Sequence, residues 1–225
     1  MALTESNRKY WYPVHQVMDH LIKNVIKPND KVLDIGPGTW PFQRANVSVD
    51  FVDIADVPNL IKCDVASQPL PFKDKEFDFV FARHIIEDMY NPFHLIKEMS
   101  RVGKAGYIET PSPIAELGRG VDGSSPPYRG YYHHRFIVWA FGKELRLISK
   151  YPLCEYLGLD EKQIDYLLTS ERYWNTFYLW KDQIIYNHIQ NGPDIEVTRD
   201  YAVVLGQAIE RSKESTDNFF STFTK

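Results

Sequence analysis

The chain reads Lys31-Val-Leu-Asp-Ile-Gly-Pro-Gly-Thr-Trp40 in its first quarter, and this stretch decides the fold class. Its apolar residues predict a short strand, and Gly36 and Gly38 follow that strand directly. Glycine lets the backbone turn tightly and approach a ligand without side-chain obstruction. Such a turn at the carboxyl end of a parallel strand forms the crevice in which open α/β sheets bind nucleotide-like ligands. The stretch therefore predicts an α/β fold with a nucleotide-like cofactor site.

Helix and strand patterns alternate on both sides of this stretch. Apolar residues at three- and four-residue spacing between positions 14 and 26 predict an amphipathic helix. The predicted strands are residues 32–35, 47–49, 60–63, 77–81 and 105–109, and a helix at 92–102 precedes the last of them. Strands that alternate with crossover segments predict a doubly wound, mostly parallel, Rossmann-like sheet.

The pattern changes after position 110. Residues 111–134 are rich in proline and glycine and predict a long substrate loop, because loops of this length are usually functional or disordered. The elements predicted after it are an antiparallel hairpin (135–141 and 144–150), a helix (153–168), a strand (176–180) and a helix (200–212). The predicted divisions are an N-terminal helix that caps the cofactor site (1–30), a core (31–152) and an elaboration of the same domain (153–225).

Composition narrows the function classes. The 225 residues are 44% apolar, enough to fill a core, and carry a net charge of −4. This acidic balance disfavours nucleic acid and anionic membrane as partners. Two cysteines, Cys63 and Cys154, make a disulfide framework improbable and favour a reducing compartment. Since the sequence also shows no signal-peptide pattern and no membrane-spanning stretch, we expect a cytoplasmic protein.

The order of acid and glycines distinguishes between cofactors. A nicotinamide or flavin site requires a third glycine and an acid about 20 residues further on. Here Pro41 occupies the region of the missing glycine, and the acid, Asp34, precedes Gly36 and Gly38. This order disfavours a nicotinamide-dependent enzyme. A structural turn that binds no ligand remains the alternative.

Further acids end the next two predicted strands. Asp50 has the chemistry to accept hydrogen bonds from both hydroxyls of a ribose, and Asp53 is close enough in sequence to compete for that role. Asp64 ends the third strand and has the chemistry to accept from an adenine amino group, with the Val65 amide facing the ring. These positions predict an adenosine-containing ligand.

Asp34-Ile-Gly36-Pro-Gly38 resembles motif I of the class I S-adenosylmethionine-dependent methyltransferases. The succession Asp64, Leu70-Pro-Phe72, Phe77-Asp-Phe-Val80, Glu87 and Asn91-Pro92 resembles the type 11 group of that class. The resemblance covers residues 31 to about 113 and implies a sheet of the seven-stranded type with S-adenosylmethionine as cofactor. It assigns cofactor binding to Asp34, Gly36, Gly38, Asp50 and Asp64, and with less support to Trp40, Asp53, Val65, Arg83 and His84.

Three positions depart from the family pattern. Trp40 stands where the family usually has a third glycine, so the turn is reshaped or the indole walls the methionine end of the cofactor. Asp50 follows Asp34 by only 16 residues, which predicts a first crossover that is stunted or replaced by a turn. Asp88 stands where the family often has a histidine, which removes one candidate base.

Residues near the end of the predicted loop carry the best candidates for chemistry. The run Tyr128-Arg-Gly-Tyr-Tyr-His-His-Arg135 contains the two candidate general bases, His133 and His134. Methyl transfer to a hydroxyl requires positioning of donor and acceptor and benefits from a histidine base. We therefore expect O-methylation of a small polar or glycan hydroxyl. The predicted substrate-binding residues are Glu109, Glu116, Tyr131, Tyr132 and Arg135. In the alternative, one histidine bonds a loop carbonyl and the other is exposed, and Glu109 belongs to a buried ion pair.

A divalent metal has one candidate site. His84, Glu87 and Asp88 lie at i, i+3 and i+4, which places them on one face if this segment is helical. A helix cap is the favoured interpretation, so we predict no metal site. The rival from another class is a catalytically silent methyltransferase-like binding or scaffold module, which Trp40 and the short crossover favour. The sequence does not indicate the acceptor or the oligomeric state.

Overall fold

A computed structural model describes residues 14–190 and 197–224, and these residues form two compact units. The parallel-sheet unit contains residues 15–110 and 178–185. The hairpin unit contains the described residues of 14, 111–177 and 186–224. Residues 1–13 of the predicted N-terminal division lie outside the described residues, and the predicted division boundaries stay predictions.

The parallel-sheet unit is built on a six-stranded sheet with the order β3-β2-β1-β4-β5-β8. The strands are β1 (Val32–Ile35), β2 (Val47–Asp50), β3 (Leu60–Lys62), β4 (Phe79–Arg83), β5 (Ala105–Pro111) and β8 (Asn175–Lys181). Pairing is parallel between β1 and β2, β1 and β4, β2 and β3, and β4 and β5. The doubly wound, mostly parallel sheet is thus confirmed, with six strands among the described residues.

Strands that follow β1 in the chain are added to the sheet on both of its sides, and the order changes direction at β1. Chain order runs from β1 through β2 to β3 on one side and from β4 to β5 on the other. Asp34 lies opposite Ser48 of β2 and opposite Phe81 of β4. The glycine turn after β1 is therefore at the topological switch point, where open α/β sheets bind their ligands.

Helices of this unit follow the apolar spacing. Helix α1 (His15–His20) continues into a π-helical turn (Leu21–Val25), and α2 (Pro92–Val102) has the predicted bounds. Pro92 begins α2, where its missing amide hydrogen costs nothing, and buried residues recur at helical spacing. Residues 36–46 contain no helix, so the prediction of a stunted first crossover is confirmed.

The hairpin unit contains a second sheet, with the order β6-β7-β9. Strands β6 (Phe136–Phe141) and β7 (Glu144–Ser149) are antiparallel and joined at Gly142, as predicted. The other elements are α3 (Pro113–Leu117), α4 (Glu161–Leu167), β9 (Ile185–Ile189), α5 (Val197–Ser221) and the 3-10 turns Pro152–Tyr156, Glu171–Tyr173 and Thr222–Thr224.

Two predictions for this unit are wrong in detail. The predicted helix at 153–168 is a 3-10 turn followed by α4, because Asp160 caps a new helix by accepting from the Gln163 amide at 3.1 Å. The predicted loop begins with helix α3, whose N-cap Ser112 accepts from the Ala115 amide at 3.1 Å. The prolines of this segment predicted a loop, but Pro113 occupies the first position of a helix, where proline is tolerated.

Three further elements differ from the prediction. Strand β4 lies two residues later than predicted, since Phe77 forms only an isolated bridge with Gly103. Helix α5 extends beyond both ends of the predicted 200–212 segment. The sequence did not predict β9, none of whose residues is buried and which lacks an apolar alternation. Among the described residues, no helix combines the length and the apolar character that crossing a bilayer requires.

Gly106 of β5 provides a test of the sheet packing. A Cβ atom there would lie 2.3 Å from the Val80 carbonyl oxygen and 2.6 Å from the Trp180 ring. We expect Gly106→Ala to lower the free energy of unfolding by about 1–3 kcal/mol, measured by urea denaturation, because neither contact can relax cheaply.

Gly206 within α5 is the matched control, since a Cβ there would meet no atom within 4 Å. Gly206→Ala should raise the free energy of unfolding by about 0.5–1 kcal/mol through helix propensity. Equal effects of the two substitutions would contradict this account of the sheet.

Candidate functional site

The glycine turn after β1 has two left-handed residues with different surroundings. Gly36 has φ +68° and donates its amide to the Val49 carbonyl at 2.9 Å. A Cβ at Gly36 would lie 2.7 Å from the end of the Ile85 side chain. Gly38 has φ +51°, and a Cβ there would meet no atom within 4 Å. Gly36 is thus required by packing, whereas Gly38 presents an open backbone face that a ligand can approach.

Asp34 of β1 is a buried carboxyl, with 1% of its surface exposed. Its Oδ2 accepts a hydrogen bond from the Phe42 amide at 2.7 Å. Burial raises the pKa of Asp34 to about 7, although the Phe42 amide opposes this shift. The side chain is therefore partly protonated near neutrality. A cationic group bound beside it would favour the carboxylate.

Phe42 holds the end of the glycine turn in place. Its ring stacks on Phe81 of β4 with centroids 4.2 Å apart, and Phe81 in turn lies 5.5 Å from Tyr107. Trp40, two residues earlier, is 59% exposed. The indole therefore lies on the surface of this unit, and the structure leaves its predicted cofactor contact a prediction.

Asp50 and Asp53 differ in their surroundings. Asp50 ends β2 and accepts from the Val52 amide at 3.2 Å, which orients its carboxylate beside the strand end. Asp53 is strongly exposed and pairs with Lys62 at 3.3 Å. A surface pair of this kind contributes little to stability. Of the two acids, Asp50 has the more fixed position for a ribose.

Asp64 follows β3 and caps a turn with both carboxylate oxygens. Oδ1 accepts from the Ala66 amide at 3.1 Å and Oδ2 from the Ser67 hydroxyl at 2.5 Å. Val65 beside it is buried. Because β1, β2 and β3 are parallel, their carboxyl ends bring Asp34, Asp50 and Asp64 to the same edge of the sheet.

Arg83 and Glu109, at the ends of β4 and β5, form a buried ion pair. Arg83 Nε donates to Glu109 Oε1 at 3.0 Å, and the Tyr107 hydroxyl donates to Glu109 Oε2 at 2.5 Å. The Glu109 side chain is fully buried. Both of its oxygens are thus engaged within the unit. This geometry favours the ion-pair interpretation of Glu109 over a substrate contact.

His84 is in a left-handed conformation and not in a helix. Its φ is +53°, its amide donates to the Glu109 carbonyl at 2.8 Å, and its Nδ1 lies 3.3 Å from Glu87 Oε1. Only the 3-10 turn Ile86–Asp88 follows. The prediction that His84, Glu87 and Asp88 share one helical face is therefore wrong, because the chain turns at His84.

The hairpin unit brings three ionisable side chains together, which we name the Glu116 cluster: Glu116, His134 and Lys150. Glu116 Oε1 lies 2.5 Å from His134 Nδ1, and Oε2 accepts from Lys150 Nζ at 2.6 Å. Lys150 Nζ also donates to the Tyr131 carbonyl at 2.8 Å. All three side chains are buried. Burial acts to raise the pKa of Glu116, but Lys150 and His134 outweigh it and leave the pKa lowered.

The neighbours of His134 in sequence divide between interior and surface. Tyr131 is buried, with its ring centroid 4.5 Å from that of His134. His133, Tyr132 and Arg135 are exposed. One histidine of the adjacent pair is thus buried against a carboxylate, and the other lies at the surface of the unit. The alternative interpretation gave one histidine a hydrogen bond to a loop carbonyl. In the structure, Nδ1 of His134 bonds the Glu116 carboxylate instead.

Sequence reasoning missed two buried cations of this unit, Lys150 and Arg129. Arg129 is 1% exposed, pairs with Glu161 at 2.5 Å and donates to the Leu117 carbonyl at 2.6 Å. The hairpin prediction placed Lys150 at the end of a strand, but no local pattern indicated that it turns inward. Nothing in the sequence marked Arg129 as more than one member of a polar run.

Comparison with known proteins gives one family match. Residues 32–108 match the family model of the type 11 methyltransferase domain. A curated relative, the uncharacterized protein MJ1123 of Methanocaldococcus jannaschii, is 33% identical over 86 residues. That alignment covers 35% of this chain and 42% of the relative, so the chain spans less than half the length of the curated relative it matches.

Solved structures with similar folds include the YcgJ protein of Bacillus subtilis (21% identity, 44% of this chain, 51% of that chain, TM-score 0.36). A putative methyltransferase of Bacillus halodurans has 19% identity over 44% of this chain and 52% of its own, with TM-score 0.37. A Haloferax volcanii complex of the Trm112 methyltransferase activator with a putative methyltransferase has 13% identity over 80% and 92%, with TM-score 0.46. All three TM-scores are below 0.5, so no conclusion about function follows from them.

Gly130 connects the loop to the Glu116 cluster and can be tested by mutation. It has φ +55°, and a Cβ would lie 2.5 Å from the Glu116 carbonyl oxygen and 2.6 Å from Glu116 Oε2. We expect Gly130→Ala to lower the free energy of unfolding by about 2–4 kcal/mol, from backbone strain and overpacking together.

Gly142 separates the two causes. Its φ is +60°, but a Cβ there would meet nothing within 4 Å. Gly142→Ala should therefore cost only the backbone strain, about 1 kcal/mol in a urea unfolding curve. If Gly130→Ala cost no more than Gly142→Ala, the close approach of Gly130 to Glu116 would be wrong.

Proposed function

We propose that this chain, whose residues 32–108 form a methyltransferase domain of the type 11 group, transfers the methyl group of S-adenosylmethionine to a hydroxyl acceptor. The observation that carries the proposal is the open glycine turn at the switch point, inside the segment that matches the family. A small polar molecule or a glycan is the proposed acceptor. A cytoplasmic location and the absence of a nucleic-acid partner remain predictions from composition.

The residues at the carboxyl edge of the sheet fit this cofactor. The backbone at Gly38 has open space above it, as a closely approaching ligand requires. The Asp34 carboxyl is buried and accepts its hydrogen bond from the Phe42 amide, and its pKa is raised to about 7, so a cationic ligand group would favour its charged form. Asp50 and Asp64 offer carboxylates for hydroxyl and amino groups of an adenosine.

Bound at this edge, the cofactor would supply an electrophilic methyl group. We propose that Asp34, Gly36, Gly38, Asp50 and Asp64 hold it, with Asp53, Trp40, Val65, Arg83 and His84 as further candidates. The main task of the protein in such a displacement is to position donor and acceptor. Since Asp64 also caps its own turn, its contact with adenine would have to share the carboxylate with Ser67.

His134 is the proposed general base. It is buried beside a carboxylate, which is the arrangement that orients a histidine for proton transfer. In the reaction the acceptor oxygen would form a bond to the methyl carbon while the carbon–sulfur bond breaks, and the hydroxyl proton would pass to His134. Tyr132 and Arg135 are exposed and are the proposed contacts for a polar acceptor.

Asp34 makes cofactor binding depend on pH. With the pKa of Asp34 near 7, a cationic ligand must ionise this side chain at lower pH, so its affinity falls as pH falls. We expect S-adenosylmethionine to bind about tenfold more weakly at pH 6 than at pH 8 in titration calorimetry, with release of a proton on binding near pH 6.

Asp34→Asn is the matched variant, because asparagine keeps the oxygen that accepts from the Phe42 amide. It should bind the cofactor weakly at both pH values and lose the tenfold difference. The cofactor's own titrations affect both proteins equally and cancel in the comparison. No binding of S-adenosylmethionine to the unaltered chain at millimolar concentration would favour the scaffold alternative and reject the proposal.

His134→Ala tests the base. We expect methyl transfer from S-adenosylmethionine to a panel of monosaccharides and small phenols to fall by about 10²–10⁴-fold, with cofactor affinity unchanged. His133→Ala, in the exposed neighbour, is the comparison that decides between the two histidines. Loss of cofactor binding and activity together in His134→Ala would instead indicate a structural role.

A further inference from the structure

Glu116 uses its two carboxylate oxygens for two different partners. Oε1 is bonded to His134 Nδ1, from the end of the loop, and Oε2 to Lys150 Nζ, directly after β7. The Glu116 and His134 side chains are 0% and 4% exposed, and that of Lys150 is 6% exposed. Removing either partner would thus leave one oxygen of a buried carboxylate without its bond, which is costly.

The Lys150 cation keeps the Glu116 carboxylate ionised. An isolated buried carboxyl would be protonated, because burial penalises its charged form. The pKa of Glu116 is lowered all the same: burial raises it, but the Lys150 cation and the bond from His134 outweigh that effect. Glu116 is therefore ionised at neutral pH and acts only as a hydrogen-bond acceptor.

An acceptor-only partner selects one form of the histidine. Since Glu116 cannot donate, the hydrogen shared with His134 Nδ1 belongs to the imidazole. In the neutral ring the lone pair is then on Nε2. The contact thus chooses between two tautomers that are otherwise similar in energy, and it also fixes the orientation of the ring.

We propose that Glu116 and Lys150 are positioning residues for His134: Glu116 accepts the Nδ1 hydrogen and fixes the orientation of the ring, and Lys150 holds Glu116 in place. This inference rests on the proposed role of His134 as the base. It replaces the substrate contact that the sequence suggested for Glu116, and it gives Lys150 a role that no motif indicated.

The charges around His134 act in opposite directions. Glu116 favours the imidazolium, whereas the Lys150 cation disfavours it. Within the hairpin unit, ionisable groups near His134 include Tyr131 and His133, whose rings contact His134, and Cys154, which interacts electrostatically with Glu116 and Lys150. Arg129 also acts on Cys154. Burial raises the pKa of the Cys154 thiol, so it stays neutral over the range in which histidine titrates.

Nitrogen NMR of the protein labelled with ¹⁵N-histidine tests the inference without any acceptor. The imidazole nitrogens report both the tautomer and the titration midpoint. In the unaltered chain we expect the neutral form of His134 to have its hydrogen on Nδ1. Lys150→Met should move its titration midpoint upward by about 1 pH unit, because the nearby cation that disfavours the imidazolium is then gone.

Three variants complete the experiment. Lys150→Arg keeps the positive charge and should therefore move the midpoint much less than Lys150→Met does. Lys162→Met removes an exposed lysine of α4 and should not change it. Glu116→Gln removes the charge and should lower the fraction of the Nδ1–H tautomer. If Lys150→Met unfolds, the tautomer and the titration midpoint of His134 can still be measured in Lys150→Arg and Glu116→Gln.

The outcomes separate this inference from the proposed function. A neutral His134 ring with its hydrogen on Nε2 in the unaltered chain, or equal midpoints for Lys150→Met and Lys162→Met, would overturn the positioning roles even if the chain methylates an acceptor. If the NMR result is as expected but S-adenosylmethionine does not bind, the proposed function fails and the arrangement of the cluster stands. With an active acceptor, the acid limb of the kcat profile should move with the midpoint.

Discussion

Parallel pairing of β1 with both β2 and β4 is the constraint on which the rest of the parallel-sheet unit depends. Parallel strands end on the same side of a sheet, so each βα connection places its first residues at one edge. Asp34, Asp50 and Asp64 arrive there from three consecutive strands, although they are far apart in sequence. The short first crossover does not disturb this arrangement. The position of Asp50 is set by the pairing register of β1 and β2, so no crossover helix is needed to place it.

The hairpin unit is organised by buried charge. Arg129 bonds Glu161 and a main-chain carbonyl, and Glu116 bonds Lys150 and His134. A buried ion pair such as Glu116–Lys150 gives little net stability, since desolvation offsets much of the attraction, but breaking one is expensive. These bonds therefore fix how a proline- and glycine-rich segment folds. Gly130 permits this packing because its backbone lies directly on Glu116.

Sequence patterns predicted what depends on local or periodic signals. Strand β1, helix α2 and the hairpin around Gly142 followed from apolar spacing and from turn residues, and the acid–glycine order predicted the methyltransferase family whose model matches residues 32–108. Helix α3 was missed because proline, which usually ends a helix, begins this one. Lys150 was missed because its inward direction depends on Glu116, a partner 34 residues away. The candidate base His134 was found, but its carboxylate partner required tertiary structure.

Two buried carboxyl groups in this chain have pKa values shifted in opposite directions, and the difference fits the roles proposed for them. Asp34 has its pKa raised to about 7 by burial, since a single amide hydrogen bond does not balance the loss of water. Glu116 is as deeply buried, but the Lys150 cation lowers its pKa. Glu116 is bonded to a cation within the fold, which suits the positioning role proposed for it. Among the described residues, Asp34 has no hydrogen bond from a cation and feels Arg83 only electrostatically, so a bound cation would complete its ionisation, as the proposed cofactor site requires.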